Sequence, residues 1–168
     1  IVASESVRVG GDELDEAVIQ YVKKEYSLAL GERTAEEVKM ALGSAWPLRE
    51  ELQAEVRGRD LISGLPKTIT ITTGEIREAL AEPVSSIVDA VRVTLDKTPP
   101  ELAADIMEQG ICIAGGGALL NGLDRRLAHE TGMPIRIAAN PLYCVALGSG
   151  QALEENNTFL SASNSSRA

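Results

Sequence analysis

The chain has 168 residues, a net charge of −9, 44% hydrophobic residues and only 3% aromatic ones. That length suits one domain or two small lobes, and the scarcity of large rings makes the core aliphatic. The acidic balance, with no cluster of lysine or arginine to override it, excludes a nucleic-acid binder. Cys112 and Cys144 sit in apolar surroundings and read as buried small hydrophobes, against a disulfide framework or a metal site. No apolar run has membrane-spanning length and no leader pattern is present, so a cytoplasmic protein is expected.

In chain order, Ile1 to Val9 reads as a strand, with Ala3, Val7 and Val9 on one face. Gly10-Gly11 is a turn, and Asp12 is placed to cap a helix whose stripe runs through Leu14, Val18, Tyr21, Val22 and Tyr26 to about Leu30. The acidic group Asp12, Asp15 and Glu16 invites an acid–base role, but a cap and a favourable helix-end charge account for it. Thr34 is expected to cap a second, short helix, with Glu37 completing the box. Glu36 and Lys39 share a face of that helix, either as a surface ion pair or as a pair able to meet a ribose or an adenine ring.

Gln53 to Gly58 and Lys67 to Thr72 alternate polar and apolar residues and read as two strands joined by a hairpin-like connection. Thr72-x-x-Glu75 opens a long helix with the stripe Ile76, Leu80, Val84, Ile87, Val88, Val91 and Leu95, which Pro83 should kink or restart near Ala81. Thr98-Pro99-Pro100-Glu101 starts another helix, to about Gln109. Ile111 to Ala114 suits a strand buried on both faces. It runs into Gly115-Gly116-Gly117-Ala118 and a helix carrying Leu119, Leu120, Leu123 and Leu127. That arrangement can present bare backbone to a nucleotide, or serve as nothing more than a tight turn. Its spacing is neither a dinucleotide fingerprint nor a Walker loop. His129 reads as a surface residue. A strand at Ile135 to Ala138 and a helix over about Leu142 to Glu154 follow, and residues 155–168, serine- and asparagine-rich, are expected to be disordered.

Several segments stand in one order: Val7-Arg8-Val9-Gly10-Gly11-Asp12-Glu13-Leu14-Asp15, Gly31-Glu32-Arg33-Thr34-Ala35-Glu36, Val56-Arg57-Gly58-Arg59-Asp60-Leu61, Gly64-Leu65-Pro66-Lys67-Thr68-Ile69, Thr98-Pro99-Pro100-Glu101-Leu102-Ala103-Ala104-Asp105-Ile106 and Gly115-Gly116-Gly117-Ala118-Leu119-Leu120. This succession resembles the MreB/Mbl family of bacterial actins, from Ile1 to about Leu153. The Gly-Gly-Asp turn and the Glu-x-x-Lys pair also resemble the wider actin and heat-shock-chaperone ATPase superfamily. Another member of that superfamily, a chaperone or kinase, and a non-catalytic scaffold module are the alternatives.

The resemblance implies an α/β fold: an actin-like ATPase domain with a ribonuclease H-like inner subdomain (residues 1–34 and 99–154) and a small α+β outer subdomain (residues 35–98). It implies ATP as cofactor, with Ala35, Glu36, Glu37, Val38 and Lys39 lining the adenosine on one side and Gly115, Gly116, Gly117 and Ala118 on the other. The phosphate loop, the Mg2+ ligands and the residue that positions water would belong to a first lobe. This piece alone is therefore expected to hold no catalytic or metal residue and to hydrolyse no ATP. The implied partners are further copies of itself in a filament and the cell-wall elongation machinery at the inner membrane. Association with the membrane would run through the parent filament, without direct insertion of this chain.

Overall fold

The structure is a computed structural model and describes residues 1–154; the tail expected at 155–168 lies outside the described residues. Helix α1 (Gly11–Tyr26) buries Leu14, Val18 and Val22, the apolar stripe expected of it. Its cap is Gly10, with no side chain of its own: the Gly10 N–H donates to the Glu13 carboxylate at 2.8 Å, and Asp12 sits within the first turn. The helix also stops before Leu30. Ser27 adopts a left-handed conformation, φ 51°, and frees Leu28–Ala29 to form strand β1. Leu28, which would continue the helical stripe, is fully buried in the sheet instead.

Helix α2 (Glu32–Leu42) is capped by Gly31 and not by Thr34. The Ala35 N–H already bonds the Gly31 carbonyl at 3.0 Å, so Thr34 lies inside the first turn. Glu37 pairs with Arg33 at 3.1 Å rather than closing a box. Strands β2 (Gln53–Asp60) and β3 (Pro66–Thr72) form the expected antiparallel hairpin, with Val56 opposite Ile69, and the sheet order is β1-β2-β3. The turn is built on Asp60. Its Oδ1 accepts from the Ile62 and Ser63 N–H groups at 2.9 and 2.8 Å, and its Oδ2 lies 3.1 Å from Lys67 Nζ.

The Thr72–Glu75 box opens helix α3 (Thr73–Ala79) as expected: the Thr72 N–H donates to Glu75 Oε2 at 2.9 Å, and the Glu75 N–H to Thr72 Oγ1 at 3.3 Å. The chain breaks at Leu80 and restarts as α4 (Ala81–Asp96), with Pro83 tolerated in its first turn. Helix α5 (Pro100–Gln109) is entered from Pro99; the Thr98 hydroxyl donates back to the Thr94 carbonyl at 2.7 Å instead of capping forward.

Strand β4 (Ile111–Ile113) pairs in parallel with β5 (Ile135–Ile137), and α6 (Leu123–Thr131) lies between them in the chain. Contrary to expectation, β4 is not buried on both faces. Its single neighbour among the described residues is β5, and its outward residue Cys112 is exposed while Cys144, at the start of helix α7 (Cys144–Glu154), is half-buried. The Ile1–Val9 segment forms no strand, having no ladder partner among the described residues. His129 is exposed, its ring centroid 5.1 Å from that of Trp46.

The core is aliphatic. One cluster joins Val18 and Val22 of α1, Ala35 and Leu42 of α2, Ile71 of β3, Ile76 and Leu80, Val84 and Val88 of α4, and Leu123 and Leu127 of α6. No helix among the described residues is long and apolar enough to cross a membrane.

Candidate functional site

Helix α2 buries Ala35, Val38 and Leu42, spaced three and four apart, and so turns Glu36 and Glu37 outward. Of the five candidate residues on this helix, Ala35 and Val38 therefore spend their side chains on the core, at 0% and 6% exposure. Glu36 is an exposed carboxylate with no ion partner among the described residues. Lys39 does not pair with Glu36. It leans towards the first turns of α1, where its Nζ lies 2.8 Å from Asp15 Oδ1 and donates to the Gly11 carbonyl at 3.2 Å. Both side chains of this ion pair are about six-sevenths buried (14% and 15% exposed).

Helix α2 ends at Gly43, whose N–H donates to the Lys39 carbonyl at 2.8 Å. A Cβ at Gly43 would stand 2.3 Å from that carbonyl oxygen and 3.1 Å from Leu120 Cδ1. Directly beyond it, Ser44 forms a parallel bridge with Asn121, and the Ala45 N–H donates to the Asn121 carbonyl at 2.8 Å. The end of α2 thus abuts the end of the glycine segment, which brings the two candidate stretches into one neighbourhood through the backbone.

The glycine segment is not the start of a long helix. Gly116–Leu119 makes one short 3₁₀ turn, the chain extends at Leu120, and α6 begins only after Gly122, φ 75°. The physical reason is Trp46: a Cβ at Gly122 would lie 2.6 Å from Trp46 Cβ, so the chain turns there on a left-handed glycine. The N-terminal end of α6, with its partial positive charge, consequently lies at Gly122 and not at the glycine triplet.

Around the triplet the surroundings are open. Ideal Cβ atoms on Gly115 and Gly117 would meet no atom within 4 Å, and one on Gly116 would touch only Leu142 at 3.5 Å. Gly115 has φ 84° and is anchored by its N–H to the Pro141 carbonyl at 2.8 Å. The Gly116 and Gly117 N–H groups have no acceptor among the described residues. Ala118, by contrast, is buried at 3% exposure. The residues fit a nucleotide in a specific way: bare backbone with room beside it at Gly115 to Gly117, a free carboxylate at Glu36, and an ammonium at Lys39 that is already partly engaged.

Two concavities occur nearby. One of about 500 Å³ lies between α2 and β2 and is lined by Glu37, Val38, Ala54 and Val56 among others. The other, of about 300 Å³, is lined by Trp46, Arg77, Leu80 and Arg126. The glycine triplet lines neither. Among the described residues no three His, Cys, Asp or Glu side chains gather as a metal site. Sequence reasoning missed Asp15 as a partner of Lys39; the repeat of acidic residues after Gly11 was the available signal, and helix-end charge explained it equally well.

The comparisons with known proteins agree with one another. The MreB/Mbl protein family matches residues 1–161. The chain is 53% identical to the cell shape-determining protein MreB of Escherichia coli K12 over 154 residues, which is 92% of this chain and 44% of that protein. It is 48% identical to the cell shape-determining protein Mbl of Bacillus subtilis, over 92% of this chain and 46% of that one. Among solved structures, MreB5 of Spiroplasma citri bound to ADP superposes with a TM-score of 0.90 at 38% identity, covering 96% of this chain and 49% of that one. The MamK double helical filament superposes at 0.67 with 20% identity, a likeness of fold alone. The chain spans about half the length of the curated relatives it matches. Its fold is the α/β fold of the bacterial actins, and the chain belongs to the MreB/Mbl family.

Proposed function

We propose that this chain is the second lobe of a longer MreB-type bacterial actin and that it holds the adenosine end of ATP or ADP. The parent would assemble into filaments that determine cell shape and direct peptidoglycan synthesis with the elongation machinery at the inner membrane. In this reading residues 1–34 and 99–154, with the β4–β5 sheet and α1, α5, α6 and α7, are the inner subdomain, and residues 35–98, with the β2–β3 hairpin, are the outer one. Glu36 and Lys39 supply polar contacts to ribose and base. Gly115, Gly116, Gly117 and Ala118 supply backbone, while Mg2+ and the phosphates belong to the other lobe.

What supports the reading above all is the superposition of 96% of the chain on a nucleotide-bound MreB5. The convergence of α2 and the glycine turn through Ser44 and Asn121 is consistent with it. When bound, ATP would supply a γ-phosphate held at the other lobe, and this chain's own residues would bind and orient the adenosine end.

The test is a titration of the full-length parent with a fluorescent ADP analogue. Gly117→Ala adds a methyl where this chain leaves open space and should weaken ADP binding about tenfold, a difference of about 1.4 kcal/mol, with the melting temperature of the nucleotide-free protein unchanged. Unaltered affinity for both Gly117→Ala and Glu36→Ala would overturn the assignment. Sedimentation of the parent with ATP, and its failure in the weakened variants, tests the filament.

A further inference from the structure

We infer that Asp15 is a positioning residue for the nucleotide site: its ion pair holds the Lys39 ammonium against the first turns of α1, in the place from which it meets the ligand. The inference rests on the nucleotide reading above and adds to it a residue on a different helix.

An ammonium has three N–H donors and no acceptor. Here Nζ donates to the Gly11 carbonyl at 3.2 Å and stands in an ion pair with Asp15 Oδ1 at 2.8 Å, without hydrogen-bond geometry to that oxygen. Both partners lie on α1, so the ammonium is held against that helix, and the remaining 14% exposure of the side chain is the opening through which it can act. Without Asp15, a lysine on a four-carbon stem samples many rotamers, and its charge would have to be ordered at the moment of binding. With Asp15 in place that ordering is complete beforehand. Glu36, on the same helix, faces solvent and cannot substitute, and the lysine does not turn to it.

The experiment is a double-mutant cycle in the full-length parent, using Asp15→Asn, Lys39→Met and the double variant. It is read by titration with a fluorescent ADP analogue and by melting of the nucleotide-free protein. A lost charge-assisted contact predicts about tenfold weaker binding for Lys39→Met and about threefold to tenfold for Asp15→Asn. The double variant should bind no worse than Lys39→Met alone, because Asp15 acts only through Lys39. Asp15→Glu, which keeps the charge, should recover part of the affinity, and Asp15→Ala replaces Asp15→Asn in the cycle if the latter does not fold. A fall in melting temperature with unchanged ADP affinity for Asp15→Asn would reduce the pair to a structural tie and overturn the inference. Additive losses would overturn it as well. If Gly117→Ala weakens binding while both Lys39→Met and Asp15→Asn leave it intact, the nucleotide reading survives and this inference does not.

Discussion

The Tyr26 hydroxyl donates to the Glu75 carboxylate, tying the last turn of α1 to the first turn of α3. The same carboxylate accepts the Thr72 N–H and hydroxyl, so one side chain closes a helix start and anchors a second helix. Hydrogen bonding to Glu75, followed by burial, pushes the Tyr26 hydroxyl up to about 12. Burial pushes Glu75 up, but the bonds from Tyr26 and Thr72 together outweigh it and leave Glu75 below its ordinary value.

Tyr26→Phe is expected to cost about 1 kcal/mol, the usual net worth of such a bond, measured by urea denaturation at neutral pH. The tyrosine is protonated more tightly in the folded chain than in the unfolded one, where it titrates near 10.0. The advantage of wild type over Tyr26→Phe is therefore complete below pH 10 and disappears as pH rises through about 12. An advantage that persists unchanged beyond that range would disprove the bond.

At the hairpin turn the sign is reversed. The Ser63 N–H, then Lys67 and the Ile62 N–H, hold the Asp60 carboxyl far below the ordinary carboxylate range. Its contribution is present above the unfolded value near about 4 and fades as pH falls below that towards the folded value. Asp60→Ala should lower the melting temperature by a few degrees at pH 7, with a narrower gap from wild type at pH 3. Equal gaps at the two pH values would refute the assignment.

Two glycines should respond oppositely to the same methyl group. A Cβ on Gly58 would lie 2.4 Å from the Ala29 carbonyl oxygen and 2.8 Å from Leu28 Cγ, forcing β1 off β2. Gly58→Ala is expected to destabilise by at least about 2 kcal/mol, whereas Gly117→Ala should stay within about 0.5 kcal/mol. Denaturation curves of the two variants side by side decide it, and a costly Gly117→Ala would show that the space beside the triplet is not open.

Prepared by itself, this chain is expected to turn over no ATP. The groups assigned to the nucleotide are backbone, one carboxylate and one ammonium at the adenosine end, whereas phosphoryl transfer needs charge and positioning around the β- and γ-phosphates. Phosphate release proportional to the amount of chain, and reduced by Gly117→Ala, would contradict this.

The features legible in the sequence were those set by near neighbours. Alternation at Gln53 to Gly58 and Lys67 to Thr72 gave the hairpin, and Thr72 with Glu75 gave a helix start that the coordinates reproduce bond for bond. Pro83 placed the restart at Ala81. What escaped was decided by distant partners. Leu28 fits a helical stripe but is claimed by a sheet whose other strand begins at Gln53. Gly31 pre-empted Thr34 as a cap because the backbone could turn three residues earlier. The extended step at Leu120, which separates the glycine turn from α6, follows from Trp46 packing under Gly122. One of the two readings of Lys39 paired it with its helical neighbour Glu36, whereas the groups that hold it stand on another helix.

Gly43 leaves no slack where α2 ends. Its amide grips the carbonyl of Lys39, the residue after it is laced to Asn121, and no side chain could be inserted between them. A larger residue at position 43 would have to displace the Lys39 carbonyl or Leu120, and with it the seam between α2 and the segment that follows the glycine turn.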